Sequence, residues 1–413
     1  MSQLGLRLLT SLAISHKTVL KNCDIKQAFV QSSLPPDECY FVKPPVGCPK
    51  SKPGTYWWLL RSLYGLWRAP KLWFDKLSNN LKAMGLENTP NSPCLFKGIL
   101  IPGDQPIYVG IYVDDIIYFS PSSYVEKRFE SLLSTIGNVD FMGQVSHFLG
   151  IEFTWKHLPG GHLCVSLAQQ SFIDTLLDNM GIDIDSNSSF STPYRSGYPI
   201  DSVPFIEMTS SDRDSLRLKY QSLVGSLNWL AHTTRPDLST VVSLLAQHQN
   251  LPSPGHYEAA VYVVKYLATT KTLGIYFTSE RDSKLQSFLH FPLQTSLVSM
   301  SDANWGPQDT SLSTCPTELP LFASRSMSAF YIDFFGPLHW VSKCQHVTVA
   351  SSAEAEIYAT DEDVQFLLDL FNCLSFSKSE ISLCQRPTLY IMITKHALTG
   401  QRTAQRKECN IFK

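Results

Sequence analysis

The sequence predicts an α+β fold, and three features along the chain support this prediction. Up to residue 155, short apolar runs alternate with Pro and Gly turns, a pattern typical of an antiparallel sheet. The middle of the chain carries apolar residues at helical spacing, and the part after residue 297 returns to a mixed strand and helix pattern. Because 413 residues exceed one ordinary core, we expect three domains, at 1–155, 156–282 and 297–413.

Composition indicates folded domains inside the cell. A hydrophobic content of 44% argues against disorder. No apolar run approaches the ~18 residues that a membrane span needs, so we expect no membrane contact. The apolar N-terminus, which Arg7 interrupts, predicts a buried helix rather than a signal peptide. The ten cysteines show no CxxC pair, which favours reduced thiols over disulfides or a zinc site.

Several helices follow from apolar periodicity in the middle of the chain. Residues 166–182 have helical spacing that ends at Gly181, and the polar stretch 183–216 indicates a connector. Two longer amphipathic helices are expected at Tyr220–Gln249 and His256–Thr270.

The last part of the chain predicts strands and one helix. After a weaker linker at 283–296, strands are expected near 297–302, 327–334 and 337–343. A helix is expected over Ser352–Phe371.

A predicted hairpin with two adjacent aspartates carries the first sign of chemistry. The β-type runs Ile107–Val113 and Ile116–Phe119 flank Asp114 and Asp115, which predicts a two-residue turn. Aspartate is also common in solvated turns, but the apolar flanks indicate that the hairpin is buried in a larger sheet. Adjacent carboxylates repel each other unless a cation neutralises them, and Mg²⁺ prefers carboxylate and phosphate oxygens. The hairpin therefore predicts a metal site.

A third carboxylate, Asp24, ends the β-type run Thr18–Cys23. Beside the two-aspartate turn it would complete a two-metal site, in which one ion activates a primer 3′-hydroxyl and the other stabilises the leaving pyrophosphate. Phe29 follows five residues later, where an aromatic ring would exclude a ribose hydroxyl. Taken alone, Phe29 is better explained as an ordinary core residue.

Four segments then resemble, in the same order, the motifs of copia-type retrotransposon reverse transcriptases: CDIKQAF, LLRSLYGLWRAPKLWFDKL, IYVDDI and FLGIEF. The resemblance implies a polymerase palm built on an antiparallel sheet with truncated fingers. It implies Asp24, Asp114 and Asp115 as catalytic ligands of two Mg²⁺ ions and Phe29 as the steric gate in the nucleotide site. The FLGIEF motif would form the primer-grip side of the palm.

The same resemblance assigns a nucleotide-binding role to Gly65, Arg68 and Lys71. The loop Tyr64–Pro70 and the helix after it would pack on the nascent base pair. Trp67 stands where the family usually has a basic residue. Arg68 and Lys71 would still meet phosphate, although both could equally be solvated helix charges.

Downstream, the segment YQSLVGSLNWLAHTTRPDLSTVVSLLAQ resembles the family's helical connection, a thumb-like part without a catalytic role. The last segment resembles the family's ribonuclease H, with Asp302 and Glu356 as two of its carboxylates. Ile393 and Thr394 stand where a third carboxylate is expected, and the chain ends at Lys413 before the final motif. We therefore expect an incomplete, inactive ribonuclease H-like domain.

The leading hypothesis is an RNA-directed DNA polymerase that uses an RNA or DNA template-primer and dNTPs. The resemblance also implies other Pol polyprotein segments (protease, integrase) as partners, and cytoplasmic virus-like particles with nuclear entry as the location. The alternative is a catalytically dead relic with at most weak nucleic-acid binding. The net charge of −2 favours that alternative, as does the lack of a basic block in the 23 residues before Asp24. A metalloenzyme unrelated to nucleic acid would leave the ordered motifs unexplained.

Overall fold

The chain divides by its internal contacts into two units, Met1–Val145 and Ser146–Lys413. The computed structural model describes residues 1–48, 52, 54–89, 91–183, 190–194, 200, 208–280, 297–305, 325–374, 389–390 and 408–409. The predicted linker at 283–296 lies outside the described residues, as do Ile393 and Thr394. The three predicted domain boundaries stay predictions.

The first unit is built on an antiparallel sheet flanked by helices. Its elements in chain order are α1 Gln3–Ser15, β1 Lys21–Ile25, β2 Phe41–Val42, β3 Trp57–Trp58, α2 Ala69–Ala83, β4 Leu86–Thr89, β5 Ser92–Gly98, β6 Ile107–Tyr112, β7 Asp115–Phe119, α3 Ser123–Leu133 and β8 Val139–Gln144. The main sheet has the strand order β4-β5-β6-β7-β1-β8, and β2 pairs separately with β3. Strand β1, early in the chain, therefore lies between two strands that come much later.

Two helices cover one face of this sheet because their apolar residues recur every fourth position. On α2, the buried residues Trp73, Leu77 and Leu81 form this stripe. On α3 the same spacing buries Val125, Phe129 and Leu133, and both stripes join one hydrophobic core with the sheet. Pro70 in the first turn of α2 fits the helix start, where its missing N–H costs no hydrogen bond.

Helix α1 is buried nearly all round, since every residue from Gly5 to Ile14 is buried. This confirms the buried helix predicted at the N-terminus. Burial of Arg7 lowers the pKa of its guanidinium to about 9. Gly110 on β6 allows α1 to approach closely, since a Cβ there would lie 2.5 Å from the Leu9 side chain.

The second unit combines sheets with a helical cluster. Its elements are β9 His147–Phe148, β10 Ile151–Leu158, β11 His162–Ala168, α4 Gln170–Met180, α5 Ser210–Thr233, α6 Ser239–Gln247, α7 Pro254–Thr269, β12 Ile275–Thr278, β13 Leu297–Asn304, β14 Met327–Phe334, β15 Pro337–Cys344, α8 Ser352–Leu374, β16 Leu389–Tyr390 and β17 Glu408–Cys409. One antiparallel sheet has the order β12-β11-β10-β9, a second has β13-β14-β15, and β16 pairs with β17.

Helices α4 to α7 share one core, and the buried guanidinium of Arg235 links the segment between α5 and α6 to the end of α7. Arg235, only 1% exposed, donates to both carboxylate oxygens of Asp237 at 2.9 and 2.7 Å and to the backbone carbonyl of Thr270 at 3.1 Å. Helix α5 begins within the stretch predicted as a connector. Thr209 caps it by accepting a hydrogen bond from the Asp212 N–H, so the polar residues there start a helix.

The strands and helix predicted for the last segment are confirmed, and the antiparallel sheets agree with the predicted α+β class. Ser299 and Ser301 on β13 face α8, where they contact Asp363 and Thr360. Among the described residues, no helix has the length and apolar character needed to cross a membrane.

Candidate active site

Strand pairing brings the three predicted aspartates to one end of the main sheet. Asp24 on β1 and Asp115 on β7 are directly opposed in the antiparallel register. The backbone carbonyl of Asp114 accepts a hydrogen bond of 3.1 Å from the N–H of Ile25, the residue after Asp24. The side chains of all three aspartates are half-buried. The structure therefore collects residues that are separated by about 90 positions in the sequence.

The turn between β6 and β7 is shifted by one residue from the prediction. Tyr112 pairs with Asp115, so the two loop residues are Val113 and Asp114, and Asp115 is the first residue of β7. Val113 has a φ of 59°, whereas Asp114 is not among the positive-φ residues. A positive φ at the first loop residue alone is typical of a type II′ turn, which normally has glycine there. A β-branched residue in this conformation is strained.

Burial and mutual repulsion raise the pKa of two of these carboxyl groups. For Asp115, burial is the larger cause, followed by the charges of Asp114 and Asp24. For Asp24, burial is again the larger cause, followed by the charges of Asp114 and Asp140, while Lys26 opposes the shift. The protein thus holds anionic groups together at a cost that a bound cation would remove.

Asp140 is a fourth carboxylate that the sequence did not single out. It lies on β8, opposite Asp24 on the other side of β1. Its Oδ2 lies 2.7 Å from the Lys26 Nζ, with which it forms an ion pair. Local sequence around Asp140 gives no sign of this position, because only the long-range pairing of β1 with β8 creates it.

The donor set fits a hard divalent cation in its chemistry, since carboxylate oxygens are the ligands that Mg²⁺ prefers. Among the described residues, however, no group of three or more His, Cys, Asp and Glu side chains stands close enough to hold a metal ion. Simultaneous binding by Asp24, Asp114 and Asp115 therefore requires side-chain rotation from the positions in this structure.

Phe29 lies in a short 3₁₀ turn, Phe29–Gln31, that follows β1. Its ring is partly buried against the main core and contacts the ring of Tyr64, with centroids 4.8 Å apart. Phe29, the predicted steric gate, therefore contacts the predicted nucleotide-site loop Tyr64–Pro70. Gly65, next in the chain, has a φ of 93°, which favours glycine at this position.

The two predicted phosphate contacts lie at the start of α2, each beside a carboxylate. Arg68 forms an ion pair with Glu38, and its guanidinium lies 5.6 Å from the ring centroid of Trp67. Lys71 is exposed and pairs with Asp75 one helical turn later, at 3.2 Å. An incoming phosphate would have to compete with these partners for both cations.

In the second unit, Asp302 near the end of β13 lies close enough to Glu356 on α8 for its charge to act on the Glu356 carboxyl group. Burial, followed by the charge of Asp302, raises the pKa of Glu356 to about 7. Glu354 is exposed and instead accepts a hydrogen bond of 2.7 Å from the Ala350 N–H at the start of the helix. The structure thus brings Glu356, not Glu354, beside Asp302.

The FLGIEF motif forms the tight connection from β9 to β10. Leu149 and Gly150 both have positive φ values, 51° and 73°. Phe148 pairs with Ile151 across this turn. A role in holding a primer stays a prediction.

Comparison with known proteins gives one family match and several relatives. Residues 3–195 match the family described as "Reverse transcriptase (RNA-dependent DNA polymerase)". The chain is 29% identical to the Retrovirus-related Pol polyprotein from transposon RE2 of Arabidopsis thaliana over 392 residues, which are 94% of the chain and 24% of the relative. It is 24% identical to the Pol polyprotein from transposon TNT 1-94 of Nicotiana tabacum over 361 residues, which are 87% of the chain and 25% of the relative.

A shorter relative is covered more fully. The putative transposon Ty5-1 protein of Saccharomyces cerevisiae is 32% identical over 257 residues, which are 62% of this chain and 78% of the relative. By contrast, the chain spans about a quarter of the length of the two plant Pol polyproteins.

Proposed function

The chain belongs to the copia-type retrotransposon reverse transcriptases, and we propose from this premise that its first unit is an RNA-directed DNA polymerase. The unit would be the palm, with β6 and β7 as its central hairpin. Asp24, Asp114 and Asp115 would transfer a nucleotide from a dNTP to a primer 3′-hydroxyl on an RNA or DNA template.

One observation carries this proposal: Asp24 and Asp115 are opposed on neighbouring strands, with Asp114 bonded through its carbonyl to the residue after Asp24. The three carboxylates would hold two Mg²⁺ ions. When bound, these ions would activate the primer hydroxyl and neutralise the leaving pyrophosphate. The raised pKa values of Asp24 and Asp115 support this role, since bound cations would relieve the repulsion between the two.

The nucleotide would lie between this cluster and the start of α2. Phe29, held against Tyr64, would exclude the ribose 2′-hydroxyl. Gly65 would let the backbone approach the base pair, and Arg68 and Lys71 would exchange Glu38 and Asp75 for phosphate oxygens.

For the second unit we propose a helical thumb and connection followed by a ribonuclease H-like remnant. Asp302 and Glu356 would be its surviving carboxylates, while Ile393 and Thr394 offer none. We expect no cleavage of an RNA–DNA hybrid above the level of an Asp302→Asn variant. Degradation that depends on Asp302 would overturn this part.

We propose the protease and integrase segments of a Pol polyprotein as partners. The reason is that most of this chain matches two relatives that are named Pol polyproteins. Cytoplasmic virus-like particles, with entry into the nucleus, are the proposed location.

The second candidate function is a relic without turnover that at most binds nucleic acid weakly. The ion pairs of Arg68 and Lys71 favour it, because both cations already have partners in the protein.

Primer extension distinguishes the two candidates. The purified chain is given primed poly(rA), dTTP and Mg²⁺, and extension is compared with that of Asp114→Asn. We expect a loss of about 100-fold or more in the variant, since a metal ligand is removed. The matched control is Asp104→Asn, which makes the same change in a loop before β6 and should keep wild-type extension. Equal signals from wild type and Asp114→Asn would refute the polymerase.

A further inference from the structure

The peptide bond that leads into Asp114 is held by a residue from another element. Trp73, fully buried on α2, donates its indole N–H to the backbone carbonyl of Val113 at 2.6 Å. That carbonyl belongs to the Val113–Asp114 peptide group, whose N–H is the amide of Asp114. Because a peptide group is planar, fixing its oxygen also fixes the orientation of the Asp114 backbone.

A second bond acts on the other side of the same residue. The carbonyl of Asp114 itself accepts from the Ile25 N–H at 3.1 Å. The peptide group before Asp114 is therefore held by Trp73 of α2, and the peptide group after it is held by Ile25 of β1. The β1 contact is part of the pairing that opposes Asp24 and Asp115, whereas the α2 contact comes from outside the sheet.

The conformation of Val113 explains why such a hold is needed. A β-branched residue at a φ of 59° persists only where its surroundings enforce it. Val113 is 40% exposed, so packing around its side chain alone does not keep its backbone at a positive φ. Trp73 can supply it, because its ring is fixed in the core beside Leu77 and Leu81.

We propose that Trp73 is a positioning residue that keeps the Val113–Asp114 turn in its strained form and thereby aims Asp114 at the metal site. Its effect on catalysis rests on the polymerase function proposed above. Its effect on the turn does not depend on that function. In this proposal Trp73 acts only through the backbone of the turn, so it is not a catalytic residue.

The test compares Trp73→Phe, which removes the donor and keeps an aromatic ring, with Tyr118→Phe as a matched control. Tyr118 is also fully buried in the same core and donates a hydrogen bond of 2.8 Å to Glu130, away from the turn. In Trp73→Phe, hydrogen exchange of the amides from Tyr112 to Ile116 should quicken by about tenfold, as expected for the loss of one buried hydrogen bond. In Tyr118→Phe the turn should exchange as in wild type.

Two further measurements separate positioning from mere packing. Primer extension by Trp73→Phe should show a kcat lowered by about tenfold with an unchanged KM for dTTP, while Tyr118→Phe keeps its kcat. Exchange that rises equally over β5, β6 and β7, with no excess at the turn, would make Trp73 a packing residue and overturn the proposal.

If Trp73→Phe does not fold, a measurement on the wild-type protein still tests the proposal. The protein has eight tryptophans, and the indole N–H of Trp73 should be protected from solvent exchange. An unprotected N–H would show that Trp73 does not hold the Val113 carbonyl, which would overturn the proposal. A wild-type protein without any primer extension would refute the polymerase, but the exchange experiments would still judge the role of Trp73.

Discussion

Asp24 on β1 lies directly opposite Asp115 on β7, so two carboxyl groups with raised pKa values meet at one end of a sheet. A raised pKa in the folded state means that ionisation costs more there than in the unfolded chain. The protein therefore loses stability as pH rises past the ordinary pKa of these groups, and it stays less stable at neutral pH.

Replacing Asp24 with Asn should consequently stabilise the metal-free protein while removing its activity. At pH 7 in EDTA, Asp24→Asn is expected to melt a few degrees above wild type, because the variant no longer holds a partly buried charge that Asp114 and Asp140 repel. Primer extension should fall by about 100-fold or more. Thermal melting followed by circular dichroism measures the first effect, with Asp104→Asn as the control. If Asp24→Asn melts below wild type, the charge of Asp24 does not destabilise the metal-free protein.

Magnesium should change the melting temperature of the wild-type protein but not that of Asp24→Asn. Added Mg²⁺ is expected to raise the melting temperature of wild type by binding the folded state, and to leave Asp24→Asn nearly unchanged. The same upward shift in both proteins would mean that the cation binds elsewhere.

The contact between Phe29 and Tyr64 predicts how the polymerase would select its sugar. Phe29→Val should lower the preference for dTTP over UTP by about tenfold or more, since the smaller side chain leaves room for a 2′-hydroxyl. The ratio of kcat/KM values for the two nucleotides measures this preference. Tyr64→Ala removes the neighbouring ring and should show a smaller loss. Unchanged selectivity in Phe29→Val would make Phe29 a core residue only.

A buried carboxyl group in the second unit predicts a pH-dependent stability. Asp363 is 1% exposed, and burial raises its pKa to about 6, although a hydrogen bond from Ser299 opposes the shift. Stability is therefore lost as pH rises from near 4 to above 6. Asp363→Asn should be more stable than wild type at pH 7.5, on the order of 2–3 kcal/mol, and this advantage should shrink towards pH 4.

Hydrogen exchange of the α8 amides measures this difference within the intact chain, because a two-unit protein need not unfold in one step. Ser299→Ala is the matched variant. It removes the bond that favours the ionised form, so its stability should fall more steeply with pH than that of wild type. An advantage of Asp363→Asn that is the same at pH 4 and pH 7.5 would exclude titration of Asp363 as the cause.

Much of this fold follows from periodicity and a few turn signals. The buried helix α1, the strands β13 to β15 and the start of α8 were predictable because their apolar spacing is regular over many residues. The gathering of Asp24, Asp114 and Asp115 was predictable from motif order, which carries information that spacing alone does not.

Other features depend on contacts that local sequence does not encode. The one-residue shift of the hairpin loop depends on the strained φ of Val113, and propensity would place a β-branched residue in the strand instead. The bond from Trp73 to Val113, the ion pair of Arg68 with Glu38, and the position of Asp140 opposite Asp24 all join residues far apart in sequence. Only the assembled sheet and helices define them.

The central position of β1 has a consequence for how the protein is made. Its partners β7 and β8 follow it by roughly 90 residues or more, so Asp24 leaves the ribosome long before Asp115 exists. At synthesis rates of about 5–20 residues per second, that interval is on the order of 5–20 s. Pairing must then close a long loop, which costs chain entropy and slows folding. The carboxylate cluster therefore cannot form until β7 has been synthesised and has paired with β1.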